Sequence, residues 1–161
     1  MRYIAPKGPQ FDYGSIKDKN NCGWEFFWTS NISLEKKWLD DENFDENFIG
    51  WGCEDLELGY RLQKNGLRII FNPNAKAYHY HFCGNPEEFL RKYKNAAKAV
   101  KYMVGAHPEL GGKLIEVNRL KNWHKLLLLF YAVFPAMKKM KKFDIIYWKV
   151  KRRYYFSKGF K

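Results

Sequence analysis

The stretch Gly50-Trp51-Gly52-Cys53-Glu54-Asp55 constrains this chain more than any other, because it sets a large ring between two glycines and places adjacent carboxylates directly behind it. Glycine on both sides frees the backbone, so the Trp51 ring can be presented at a surface that a bulkier neighbour would obstruct. Beyond the acids, Leu58 and Leu62 repeat at the i, i+4 spacing of a helix face, and Asn65-Gly66 supplies a stop. The spacing predicts a helix that opens on Glu54 and Asp55, where unpaired backbone N–H groups and the positive end of the macrodipole favour ionised carboxylates. Two readings are open for such a pair. It caps the helix, or it accepts hydrogen bonds and a proton from hydroxyl groups of a ligand whose C–H face rests on the Trp51 ring, the combination a sugar requires.

The flanking segments read as strands and helices in alternation. Residues 22–34 are aromatic and β-prone, and Ser33 is placed to cap a short helix over Leu34–Leu39. After the acid helix, Leu67–Phe71 is a compact β run closed by Asn72-Pro73-Asn74, and Ala75–Phe82 is a second. Strand alternation puts His79 and His81 on one face, either as a solvated pair or as two imidazoles able to reach a metal. From Pro86 the pattern turns helical, with Phe89, Tyr93, Ala96, Ala97, Val100 and Met103 on one stripe and Gly105 and Pro108 at its end. Residues 1–20 read as an extended lead-in.

Taken together, Phe44-Asp45-Glu46-Asn47-Phe48-Ile49-Gly50-Trp51-Gly52-Cys53-Glu54-Asp55-Leu56-Glu57-Leu58 and Arg61-Leu62 resemble the FDE-x-F-x-GWG-x-ED-x-(D/E)-L-x-x-R-L signature of GT-A-fold glycosyltransferases. The likeness is to family-2 enzymes and the galactosyltransferase C-terminal domain, and it runs from about Asn21 to about Lys101. The resemblance implies an α/β fold class, the C-terminal part of a GT-A (Rossmann-like) domain followed by basic amphipathic helices. It implies inverting transfer of a hexose from a nucleotide sugar to a saccharide or lipid-linked acceptor, in cell-surface polysaccharide synthesis. Asp55 would be the general base, Glu54 would hold a neighbouring hydroxyl, and Trp51, Gly50, Gly52 and Asn31 would form the acceptor-binding surface. His79, and after it His81, would complete a site for a divalent cation, Mn²⁺ or Mg²⁺, that holds the donor diphosphate.

One departure from the pattern limits that transfer of roles. The nucleotide-binding βαβ half and its Asp-x-Asp motif are not found in the sequence, since Asp40, Asp41 and Asp45 belong to the segment before the acid helix. The chain therefore resembles the acceptor-side half of an enzyme, expected to be inactive by itself and to bind the cation only together with the missing donor half.

Charge divides the chain. Residues 1–85 carry ten Lys/Arg against twelve Asp/Glu, whereas residues 86–161 carry nineteen against five, so the net +12 resides in the C-terminal half. Residues 1–105 are expected to form the acceptor-side portion, and 106–161 a basic, aromatic-rich helical extension. No apolar run reaches the 18 or more residues of a spanning helix and no secretory h-region is present, which points to a cytoplasmic protein. Residues 126–134 are apolar but short, and residues 138–161 mix ten Lys/Arg with aromatic and aliphatic anchors. That composition suits an anionic membrane surface contacted through residues 126–161, peripheral to the inner face. Nucleic acid is not expected as a partner, because no recognition module accompanies the basic run. Cysteines 22, 53 and 83 lack zinc spacing and read as reduced, small apolar residues. The rival reading, a non-catalytic membrane-surface module that kept this fold, would differ in showing no turnover with a donor half supplied, and a basic nucleic-acid binder would show steeply salt-dependent affinity.

Overall fold

Helix α1, Glu54–Lys64, opens on the acid pair and stops at Asn65-Gly66, as the spacing predicts. Its end is a Schellman arrangement. The Gly66 N–H donates to Gln63 O at 3.1 Å and the Leu67 N–H to Leu62 O at 2.9 Å, and Gly66 takes the left-handed φ of +97° that the motif demands. Leu58 and Leu62 turn inward onto Phe27, and Leu34, Trp38, Leu67 and Ile69 close around these three buried side chains. Gly59 is part of that packing, because a Cβ there would stand 2.4 Å from Phe27 Cβ. The absence of a side chain thus lets the phenyl ring lie against the helix backbone.

The computed structural model describes residues 11–49, 52–78, 86–118, 121–134 and 141–160. They fall into two units, Met1–Asn47 with Cys53–His81, and Phe48–Gly52 with Phe82–Lys161. No helix among the described residues is long and apolar enough to cross a membrane.

The expected α/β class, the Rossmann-like part of a GT-A domain, is not what these residues form. Among the described residues there is no strand, only an isolated antiparallel bridge between Cys22 and Ile69. Two hydrogen bonds frame it, from the Cys22 N–H to Ile69 O at 2.8 Å and from the Phe71 N–H to Lys19 O at 2.7 Å. The β-prone run of residues 22–34 instead curls into 3-10 turns at Trp24–Phe26 and Thr29–Asn31. A third turn, Lys36–Leu39, replaces the helix expected from Leu34, and Ser33 does not cap it. The physical reason is that a strand is stable only when its backbone groups are paired. Here a side chain takes the partner's place: Gln63 Nε2 donates to Cys22 O at 3.0 Å, and Gln63 Oε1 accepts the Trp24 N–H at 2.9 Å. Aromatic composition still secures burial, since Trp24 and Phe27 are both in the core. It does not dictate a sheet.

The second unit is helical. α2 spans Pro86–Ala106, α3 Gly111–Asn118, α4 Asn122–Val133 and α5 Lys141–Phe160. Leu90, Ala97, Val100 and Met103 bury one stripe of α2, and α5 contributes Val150 and Phe156 to the same interior. The helices meet closely at Gly159, where a Cβ would lie 2.0 Å from Lys94 O and 2.9 Å from Ala97 Cβ. Arg152 of α5 places its guanidinium 5.1 Å from the Tyr93 ring of α2. α4 rests through buried Tyr131, edge-on to Tyr147 at 5.3 Å, and through buried His124. His124 Nδ1 accepts the Lys121 N–H at 2.9 Å and Nε2 lies 2.9 Å from Arg153 Nη1. Burial, then the Arg153 and Lys121 charges, lower its pKa and keep it neutral.

Candidate functional site

The backbone immediately before α1 is bent by two consecutive positive φ angles, +106° at Gly52 and +74° at Cys53. For Cys53 this is a strained conformation, costing on the order of 1 kcal/mol or more. Cys53 is the N-cap residue but offers no side-chain cap, and its carbonyl accepts the Glu57 N–H at 2.8 Å. The first turn is therefore left to the acids. Asp55 Oδ1 accepts the Leu56 N–H at 2.9 Å, and the Thr29 N–H also donates to this carboxylate. Thr29 opens the 3-10 turn Thr29–Asn31, so that turn is held against the acid pair. Asn31 extends the connection, donating through Nδ2 to Ala75 O at 2.9 Å.

Electrostatically the pair is uncomfortable. Burial and then the Glu54 charge raise the Asp55 pKa above the usual carboxylate range, and the N–H donors of Leu56 and Thr29 offset this only in part. Glu54 Oε2 is buried with no hydrogen-bond partner among the described residues, and so is the indole Nε1 of Trp28, the residue before Thr29. Burial, reinforced by Asp55 and Glu54, pushes the Cys53 thiol up to about 12. Among the described residues neither Glu54 nor Asp55 belongs to an ion pair. An orphaned buried acceptor, an orphaned donor and strained backbone at one place are features that cluster at ligand sites.

The remaining charged residues of the same motif do different work. Arg61 donates through Nε to Glu57 Oε1 at 2.7 Å and through Nη2 to Glu57 Oε2 at 3.0 Å. It also pairs with Glu42 and donates to Asn43 O at 2.6 Å, while Asn65 Nδ2 reaches Glu42 Oε1 at 2.8 Å. Glu57 is only 3 % exposed, so Arg61 compensates a buried charge and ties residues 42–43 to α1. These contacts, with Leu58, Leu62 and Gly59 in the core, give most of the motif after Asp55 a structural task, whereas Glu54 and Asp55 have no ion-pair partner among the described residues and Glu54 Oε2 has no hydrogen-bond partner there.

Of the other residues expected at the site, Gly50, Trp51, His79 and His81 lie outside the described residues. Gly52 meets nothing closer than Ala96 Cβ, at 3.7 Å from the Cβ it lacks, so its φ rather than space requires glycine. No group of three or more His, Cys, Asp or Glu side chains among the described residues could hold a metal ion. The adjacent carboxylates therefore do not by themselves fit a divalent cation. Thr29 and Trp28 were not legible as site residues. Their only signal was membership of an aromatic run, which reads as strand. Trp28 borders an open cleft of about 490 Å³ whose walls include Phe11, Asp18, Asn21 and Glu25.

Residues 16–83 match the model of a family described as the N-terminal domain of galactosyltransferase. The chain is similar to the validoxylamine A glucosyltransferase of Streptomyces hygroscopicus subsp. jinggangensis (strain 5008), at 30 % identity over 113 residues that cover 62 % of this chain and 26 % of that protein. It is similar to the chondroitin synthase of Escherichia coli at 41 % identity over 69 residues, 42 % of this chain and 10 % of that protein. With the hyaluronan synthase of Pasteurella multocida it shares 39 % identity over 84 residues, 52 % of this chain and 9 % of that protein. The chain thus spans about a quarter of the first of these relatives and about a tenth of the other two. No solved structure matches it significantly.

Proposed function

We propose that this chain, whose residues 16–83 match the model described as the N-terminal domain of galactosyltransferase, supplies the acceptor side of an inverting glycosyltransferase. The reaction moves a hexose from a nucleotide sugar to a saccharide or lipid-linked acceptor in cell-surface polysaccharide synthesis. The observation that carries this reading is the contrast within one motif: Glu57 and Arg61 are paired, whereas Glu54 and Asp55 are half-buried, adjacent and without an ion-pair partner among the described residues. The names of the relatives, a glucosyltransferase, a chondroitin synthase and a hyaluronan synthase, support sugar transfer.

In this mechanism Asp55 takes the proton of the acceptor hydroxyl while that oxygen bonds the anomeric carbon and the nucleoside diphosphate departs. An upward-shifted carboxylate is a stronger base than an exposed one, which favours the role. Glu54 Oε2 accepts a hydrogen bond from a neighbouring acceptor hydroxyl. Trp51 would be the stacking floor, with Gly50, Gly52 and Asn31 as the other acceptor-binding residues. A divalent cation, Mn²⁺ or Mg²⁺, would come with the donor half and neutralise the diphosphate, with His79 and His81 as its expected ligands. The basic helical half would dock on an anionic membrane surface at the inner face. No nucleic acid is involved.

The test is to combine the chain, by fusion or co-expression, with a folded, nucleotide-binding donor half and to look for a saccharide product from nucleotide sugars. Transfer that depends on this chain is expected. A donor half that binds nucleotide normally yet yields no transfer with any saccharide or lipid-linked acceptor would contradict the reading.

A further inference from the structure

Helix α4 is turned inside out relative to an ordinary surface helix. Its buried residues are His124 and Tyr131, both 1 % exposed, whereas Trp123, Leu126, Leu129, Phe130, Val133 and the adjoining Phe134 are 40–69 % exposed. At 100° per residue those six fall within an arc of about 140°, shared only with Asn122 of the first turn and lying on the side away from His124 and Tyr131. Isolated exposed leucines are ordinary, but a contiguous apolar stripe covering a whole helix face marks a surface that meets something. With 12 residues, α4 is about 18 Å long and cannot span the roughly 30 Å of a bilayer core.

Charge identifies the occupant. α4 contains no acid, and Lys121 and Lys125 are exposed at its start. Beside Leu128 and Leu129 a groove of about 500 Å³ runs between α4 and α5, lined also by Tyr147 and Tyr154, with Lys125 and Lys151 at its walls and no acid among the described lining residues. A second copy of this chain would bring the same basic half against it and be repelled, while an anionic lipid surface is attracted by it. α5 carries much of the basic charge, but of its described apolar residues Val150 and Phe156 are buried and Ile146, Trp148 and Phe160 are half-buried, so it presents no fully exposed apolar face among them.

We propose that α4 is the membrane-inserting element: it lies along an anionic monolayer with the Leu126–Phe134 stripe among the acyl chains, and Lys125 and Lys151 contact lipid phosphates beside the groove. α5 contributes charge rather than insertion. This rests on the membrane-surface reading above and assigns the contact to one helix face.

The test uses the whole 161-residue chain with vesicles of phosphatidylcholine alone or mixed with phosphatidylglycerol. Leu126 and Val133 point outward, so the double substitution Leu126→Asp, Val133→Asp should leave the circular dichroism and thermal melt unchanged. It should lower affinity for mixed vesicles by at least about tenfold. Bromine-labelled acyl chains should quench the wild-type fluorescence more than that of Trp123→Phe. If the aspartate variant binds like wild type and salt alone releases both, the basic half docks electrostatically; the membrane reading then survives and this inference is overturned. A wild-type chain that ignores phosphatidylglycerol vesicles overturns both. Loss of self-association in the variant, with vesicle binding intact, gives the face to a second copy and overturns it as well.

Discussion

Replacing Gly59 by alanine is the sharpest probe of how α1 is held, because helix propensity and packing predict opposite signs. In an exposed helix interior Gly→Ala is worth about 1 kcal/mol in favour of the fold. Here the new methyl would stand 2.4 Å from Phe27 Cβ, 2.6 Å from Cγ and 3.1 Å from Cδ1, against about 3.5–4.0 Å for a relaxed carbon contact. Phe27 would have to recede by about 1 Å. It is 1 % exposed, packs on Leu58 and Leu62, and its N–H is bonded to Trp24 O at 3.0 Å, so there is no free direction in which to move. Overpacking of this kind costs about 1–3 kcal/mol, and losing the ring's packing altogether costs about 3–5. Because the ring has no room to shift, the larger cost applies, and net of the propensity gain Gly59→Ala should destabilise by about 2–4 kcal/mol, a fall in Tm of roughly 4–8 °C per kcal/mol for a unit of this size. Amide hydrogen exchange along residues 58–64 reports the effect locally, which matters because the chain has two units. Combining it with Phe27→Leu should recover part of the loss, as expected of contacting residues. A Gly59→Ala protein as stable as the parent, or more so, would refute the packing argument.

Other expectations follow from the same contacts. Arg61→Ala strands the buried Glu57 carboxylate, and urea unfolding should show a loss of about 3–5 kcal/mol, with Glu57→Gln in the Arg61→Ala background relieving it. Cys53, its thiol pushed up to about 12, should resist iodoacetamide in the native protein at neutral pH and react once unfolded, because only the thiolate attacks; rapid native alkylation would contradict its placement. Calorimetry should find no Mn²⁺ binding to the isolated chain at micromolar concentration, since among the described residues no three-ligand cluster exists; tight binding would mean that ligands beyond them assemble without a donor half.

What the sequence made legible were features whose cause is local. Helix α1 could be bounded because the acids, the Leu58–Leu62 spacing and Asn65-Gly66 act within one or two turns, and a helix satisfies its own backbone. The α2 stripe was readable for the same reason. That residues 22–34 and 67–71 form no sheet was not legible, because they show only that they are apolar and β-prone, and pairing depends on distant chain. Gln63, which takes the hydrogen bonds a neighbouring strand would have made, carries no signal in its spacing. At the site, the position of Glu54 and Asp55 at a helix start was legible, but not the division of labour around them, since Glu42, Glu57 and Arg61 meet only through folding. Thr29 reaches Asp55 from a turn that composition reads as strand. In α4 four consecutive leucines hide which side faces inward, and the burial of His124 and Tyr131 settles it. The contact of α5 with α2 also means that removing residues 138–161 would uncover Ala97 and its neighbours, so charge and face substitutions are cleaner than truncation.

The central claim is that the Asp55 carboxylate serves chemistry beyond the hydrogen bonds it accepts from the Leu56 and Thr29 N–H groups. Its folded pKa is raised, so its protonated form is favoured by the fold; that stabilisation is full below the unfolded value near 4 and is lost as pH rises through the folded value. At neutral pH the ionised group is therefore a burden, and Asp55→Asn, which keeps the shape and the acceptor oxygen for the Leu56 N–H, should leave stability at pH 7 unchanged or raised. The decisive measurement is the paired reading of turnover and thermal stability for Asp55→Asn in an enzyme that joins this segment to a donor-binding half. The account predicts a fall in turnover of about 10² or more with no loss of stability, because an amide cannot take the hydroxyl proton. Near-parental turnover, or a stability loss that accounts for the lost activity, would contradict it.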